Sequence, residues 1–309
     1  MSLLQIVNLV SYCIFIFTSA VTGPGLFTPS IGSISGKFPV LVTPAGWAFS
    51  IWSLIFVLVG VLSVVQALPR NRLWASERLG WWWALNAGLG EAFWPFSFTL
   101  QWGTMWPSAF ILLFIVLTGA ALYVRMGIGA SPFAGKVGAA TPSASLLELA
   151  VVHSGVSIYV GWTTAATILN FSIALSASGV NSNGEAWAAT VCAAAATLAV
   201  AAAITRTDFL FAGTLCWALS AIHGNQVRLG LPTSAAQASL AAAGVAGAAA
   251  ALAAATRVWL VASGRLALAP SSLKLGGEGA ADSDSYKSAP TVVVANVLAN
   301  GATDWAGKQ

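Results

Sequence analysis

The sequence predicts an all-α integral membrane protein, and three observations carry that reading. Of 309 residues, 58% are hydrophobic and 7% are charged, against roughly 25% charged in soluble domains. Eight apolar stretches, each near the roughly 20 residues a helix needs to cross a bilayer, follow one another between residues 3 and 260. The third is a surplus of tryptophan, fourteen in all, a residue that concentrates at the two membrane–water interfaces. The net charge of +4 comes largely from scattered loop and tail positions, so no nucleic-acid partner is expected. Cys13, Cys192 and Cys216 lie within apolar runs at spacings that suit neither a metal site nor a disulfide framework, and read as small core residues.

The predicted spans are 3–22, 41–68, 81–102, 106–125, 146–175, 186–204, 208–224 and 234–260. The first lacks the basic n-region of a cleaved secretory signal. The second opens with Thr43-Pro-Ala-Gly-Trp47-Ala-Phe49-Ser-Ile-Trp52. Pro44 suits a first helical turn, where its missing N–H is no loss, and Gly46 lets a backbone or a flat ligand come close. Trp47 and Trp52 are about 140° apart around a helix, so only one can point directly into any single pocket. For each, pocket wall and interface belt both remain open.

The third span carries Asn86 and Glu91, with Trp94 and a kinking Pro95 after them. Helical spacing puts Asn86, Gly90 and Phe93 on one stripe and Glu91, Trp94 and Phe98 on another. A mid-membrane carboxyl costs a few kcal/mol on insertion scales, so Glu91 should face inward and be protonated or paired. A proton-coupled role is the alternative to a plain hydrogen-bonded carboxyl. In the fourth span, Leu117-x5-Tyr123-Val-Arg125 fits the loose cholesterol-contact pattern, which is common by chance.

The fifth span contains Tyr159-Val-Gly-Trp162-Thr-Thr-Ala-Ala166-Thr-Ile-Leu-Asn170. At about 100° per residue, Tyr159, Trp162, Ala166 and Asn170 share a stripe roughly 80° wide. Lipid would favour Leu, Ile and Val there, so this stripe should face protein or ligand. Spans six and eight, with Ala193–Ala196 and Ala241–Ala255, are rich in small residues that allow close helix packing. The seventh is short. From residue 264 the chain is polar and small-residue-rich and reads as a disordered tail. Eight Lys and Arg on one set of loops and span ends against Lys37 and Arg228 on the other predict cytoplasmic N- and C-termini. An odd number of spans would break that argument.

The second- and fifth-span motifs, with Gly60 and the third-span amide, resemble the helix signatures of the tryptophan-rich sensory protein/translocator protein family (TspO/MBR). The resemblance covers residues 1–176, a five-helix core, and makes 177–263 about three additional transmembrane helices ahead of the tail at 264–309. In that second part, Arg206-Thr-Asp208 and Trp217-Ala218 are similar to segments of longer relatives. The sequence departs from the family where Leu89 and Gly90 replace a usual Trp, and where Ile158 replaces a Pro before Tyr159.

The resemblance implies a cavity in the five-helix core, capped by the loop Gly23–Leu41, for a tetrapyrrole such as haem or protoporphyrin, or for a sterol-like lipid. Its lining would draw on Trp47, Phe49, Trp52, Asn86, Tyr159, Trp162 and Asn170. The helical stripes add Trp94 and Ala166, with Glu91 as a proton site. Rings stack on flat macrocycles, and indole, phenol and amide groups add a few directional contacts. No cofactor is required, and homodimerisation in the lipid is left open. Axial haem ligation would need His153 or His223 to point into the cavity. Three functions follow: a binder or carrier of a hydrophobic small molecule with a sensory or stress role, a proton-coupled transporter using Glu91, and a light-dependent porphyrin-degrading enzyme. The last is ranked below binding because no acid–base or metal constellation appears in the sequence.

Overall fold

The computed structural model describes residues 1–129, 148–180 and 184–263. The predicted tail at 264–309 lies outside the described residues, as does the segment 130–147. Every regular element among the described residues is helical. Helix α1 spans Leu3–Thr22 and opens on a capping box in which Ser2 and Gln5 satisfy each other's backbone N–H groups. Its Gln5 amide donates to the carbonyls of Gln66 and Leu68 at 2.7 and 2.9 Å, and the Gln66 amide returns a bond to the Gln5 carbonyl at 3.0 Å. Two buried amides thus clamp α1 to the end of α3 (Ile51–Ala67). Without that pairing each would carry a desolvation cost.

Between α1 and α3, the short α2 (Ile31–Lys37) folds over the bundle, capped by the Ser30 hydroxyl. A tight 3-10 turn, Gly46–Ser50, leads into α3, so Pro44 precedes the helix and does not occupy its first turn. The loop before the turn is pinned across the chain, with Ala45 N–H donating to the Ala221 carbonyl at 2.9 Å. A single turn, α4 (Arg72–Trp74), follows on the far side of the bundle.

The third span is irregular. A wide π turn, Ala84–Glu91, runs into α5 (Ala92–Leu100), which contains Pro95. Pro95 has no N–H to give the Glu91 carbonyl one turn back, and a helix commonly bends or widens where a proline removes that bond. Gly88 and Gly90 let the widened segment sit close to its neighbours. A Cβ at Gly88 would come within 2.6 Å of the Ser11 hydroxyl, and one at Gly90 within 2.5 Å of the Ile115 side chain.

Helix α6 spans Trp106–Arg125 and α7 spans Ser154–Ala177 after a second π turn, Glu148–His153. The three remaining helices are α8 (Glu185–Arg206), α9 (Phe209–Arg228) and α10 (Thr233–Ala262). Helix α7 is buried nearly all round. It packs against α3 and α6 on one side and α9 on the other. Small side chains such as Ala195, Ala199, Ala242 and Ala246 fill the buried faces of α8 and α10, which permits close backbone approach.

Eight helical segments therefore occupy the eight predicted spans, and six of them are long and apolar enough to cross a membrane. The exceptions have structural causes. The third segment is shortened and interrupted, and α9 ends in His223, Asn225, Gln226 and Arg228. Two of those residues hold the loop before α3: Asn225 donates to the Thr43 carbonyl at 3.0 Å and Gln226 to the Leu41 carbonyl at 2.8 Å. At the opposite end of α9, Asp208 caps the helix and also accepts from Tyr123 and Ser157. The Tyr123 hydroxyl, the centre of the cholesterol-contact pattern, is thus spent inside the protein.

Candidate ligand cavity

A cavity of about 950 Å³ lies between α1, α3, α5 and α7, beneath α2 and the loop that follows it. Its side is aromatic because α3 and α5 each contribute two rings four residues apart, and α1, α7 and the turn before α3 add one each. Trp52 stacks on Phe56, with ring centroids 5.4 Å apart, and Phe15 meets both edge-on. Trp94 stacks on Phe98 at 5.6 Å, and Phe49 meets Trp162 edge-to-face at the same distance. Such pairs fix ring orientation beyond what burial alone would do. Gly23, Gly32 and Gly36 from the covering loop and α2 complete the roof.

Six of the residues singled out from the sequence as ligand contacts line this cavity: Phe49, Trp52, Trp94, Trp162, Ala166 and Asn170. Glu91, singled out as a proton site, lines it as well. Asn170 is held in place, its amide donating to the Ala166 carbonyl at 3.1 Å and its Oδ1 accepting from Ser108 at 3.2 Å. The indole N–H groups of Trp94 and Trp162 are covered and meet no acceptor among the described residues. The cavity in this form is therefore offered their ring surfaces and not their N–H groups.

Trp47, Asn86 and Tyr159 stand outside the lining. Trp47 is 49% exposed and packs edge-to-face on Trp217, whose indole donates to the Ala48 carbonyl at 3.1 Å. Of the two tryptophans, Trp52 turns inward to the cavity and Trp47, in the 3-10 turn before α3, lies at the outer surface.

Asn86 and Tyr159 are fully buried behind the wall and hold Glu91. The Asn86 amide donates to the Ile115 carbonyl and to the Thr118 hydroxyl, both at 2.8 Å. Its Oδ1 is in short contact with the Tyr159 hydroxyl, which also lies 2.7 Å from Glu91 Oε1. One phenolic proton cannot serve both oxygens. Both contacts are satisfied when Tyr159 donates to Asn86 and a protonated Glu91 donates to Tyr159.

Sequence spacing hides this convergence. In a regular helix, residues five apart sit about 140° from each other, which placed Asn86 and Glu91 on separate stripes. In a π turn, whose hydrogen bonds run from i to i+5, five residues come close to one turn and both side chains reach Tyr159. Neither histidine lines the cavity; His223 Nδ1 lies 2.8 Å from the Ala236 carbonyl. Among the described residues, no three His, Cys, Asp or Glu side chains converge as a metal site would need.

Sequence reasoning also missed the part played by α9. Asn225, Arg228, Leu229 and Leu231, at or just beyond its end, line the cavity alongside the five-helix core. The polar run closing α9 was the available signal. Compared with known proteins, the chain matches the model of a family described as TSPO-like protein over residues 5–256. The match passes residue 176 and takes in α8, α9 and most of α10. No curated protein and no solved structure matches the chain.

Proposed function

The chain belongs to the TSPO-like protein family, and from that premise we propose that it binds or carries a hydrophobic small molecule, a tetrapyrrole or a sterol-like lipid, within the membrane. The observation that carries this reading is the aromatic-walled cavity of about 950 Å³. That volume sits at the upper end of the range for small-molecule sites, roughly 300–1,000 Å³. Ring faces from Trp52, Trp94 and Trp162 suit a large, flat, apolar body. The few polar groups, chiefly Glu91, Asn170 and Arg228, would fix its orientation. No cofactor is needed for such a role. The positive-inside bias of the sequence supports cytoplasmic termini.

The test is a titration of the purified protein with protoporphyrin IX, following tryptophan fluorescence. Saturable quenching is expected, weakened about tenfold or more in Trp162→Ala, as removal of a large aromatic contact commonly does. Absence of saturable quenching, or quenching indifferent to Trp162→Ala, would end the tetrapyrrole reading.

A second reading, proton-coupled transport, is favoured by one observation. Glu91 is a buried carboxyl that both lines the cavity and joins a hydrogen-bonded chain through Tyr159 to Asn86. Uptake into vesicles driven by a pH gradient, and lost in Glu91→Gln, would support it. Uptake unchanged by that substitution would remove it. Porphyrin breakdown under light ranks third, and would need a defined product in place of general bleaching.

A further inference from the structure

We propose that Arg228 is a specificity residue that receives the anionic head of an amphipathic ligand whose apolar body lies against the aromatic wall. This rests on the reading of the cavity as a ligand site and adds the chemical class of the ligand. Arg228 ends α9 and supplies the cationic side chain in the lining, while Glu91 supplies the acidic one. The two are not paired with each other: Glu91 Oε1 lies 2.7 Å from the Tyr159 hydroxyl. Among the described residues the Arg228 guanidinium meets no carboxylate. Its Nη2 donates to Asn225 Oδ1 at 2.7 Å.

That one bond is itself supported. The Asn225 amide donates to the Thr43 carbonyl, so the guanidinium is tied through a buried amide to the loop that enters α3. Thr43, Asn225 and Arg228 all belong to the cavity lining. A cation in the last turn of a helix is favoured by the macrodipole, which explains its presence there but not its place in the lining. A guanidinium with several N–H groups left over is a forked donor matched to a carboxylate or a phosphate. At the far end, Glu91 lies nine residues before Leu100, roughly 13 Å of helical rise, in the middle of the third span. The cavity thus has a cationic, exposed end near the covering loop and a depth walled mainly by rings, with the hydrogen-bonded Glu91 as its acidic group.

The experiment compares protoporphyrin IX, a dicarboxylic acid, with its dimethyl ester, titrated into the full chain in a phospholipid-free maltoside micelle. The native chain should bind the diacid about tenfold more tightly than the ester, the low end of what a charge-assisted hydrogen bond contributes. In Arg228→Gln that ratio should fall toward one, and Arg228→Lys should keep part of it. Circular dichroism and gel filtration check that each variant is folded. Equal binding of diacid and ester by the native chain, or an undiminished ratio in Arg228→Gln, overturns the proposal. If neither compound binds the native chain, the tetrapyrrole reading fails along with it. Adding phosphatidate then identifies the source of the anion. Competition in the native chain that is absent in Arg228→Gln points to a lipid head group, and no competition points to a free carboxylate ligand; either supports the anion site.

Discussion

Tyr159 and Glu91 meet at 2.7 Å across the wall of the cavity, one from α7 and one from the π turn of the third span. The contact works as a neutral hydrogen bond, since Tyr159 is also engaged with Asn86 and has a single proton to give. A glutamine at position 91 can donate an N–H where the acid donates its O–H. Glu91→Gln should therefore stay within about 1 kcal/mol of the native protein, while Tyr159→Phe, which leaves Asn86 Oδ1 buried and unpaired, should cost about 1–3 kcal/mol. Thermal unfolding in detergent measures both. A large loss in Glu91→Gln would mean that the carboxylate, and not the hydrogen bond, is what the site needs.

The two tryptophans that open the second span should behave in opposite ways. Trp52 lines the cavity and Trp47 packs on Trp217 at the outer surface. Trp52→Ala should weaken porphyrin binding by about tenfold, in the range expected for an aromatic anchor. Trp47→Ala should leave affinity nearly unchanged. Fluorescence titration of both variants decides the matter, and equal losses would place Trp47 in contact with ligand.

Asp208 joins three helices. Its Oδ2 accepts from Tyr123 of α6 and Ser157 of α7, each at 2.7 Å, and its Oδ1 caps α9 through Leu210 and Phe211 N–H at 3.0 Å. An asparagine can still cap the helix but presents an amide to two hydroxyl donors. Asp208→Asn should lose about 2–4 kcal/mol, the sum of two hydrogen bonds to a charged or buried acceptor less what water recovers. Asp208→Ala should lose the cap as well, about a further 1 kcal/mol. Unfolding midpoints that rank Ala above Asn would contradict this account.

The helical class and the run of spans were legible because bilayer thickness imposes length and composition on any crossing helix. The Trp162–Ala166–Asn170 face was legible because α7 stays regular through that stretch, so angular arithmetic holds. It failed for Asn86 and Glu91, where the π turn changes the angle per residue, and nothing in the local sequence except Pro95 and the glycines announces that turn. Arg228 was counted only as a loop charge. Its place in the cavity depends on α9 packing against α7 and the loop before α3, a long-range relation that no local pattern encodes. The inward turn of Trp52 rather than Trp47 depends likewise on α3 beginning after a 3-10 turn.

Glycine positions give the sharpest test of how the cavity wall is assembled. Gly155 of α7 faces Leu58 of α3, and a Cβ there would sit 2.9 Å from the Leu58 Cβ and 3.4 Å from its backbone carbon. Neither atom can move without shifting α3, which carries Trp52. Gly155→Ala should therefore cost about 1–3 kcal/mol, the usual range for overpacking. It should also weaken ligand binding by moving a wall helix. Gly213, in the second turn of α9, has no atom of another described element within 4 Å of where a Cβ would be. There the same substitution relieves only a helix-propensity penalty, and Gly213→Ala should stabilise by up to about 1 kcal/mol. The two variants differ from native by the same methyl group, so opposite signs in thermal unfolding isolate the close approach of α7 to α3. A neutral Gly155→Ala would show that these helices are not in contact as described, and the aromatic wall between them would need a different geometry.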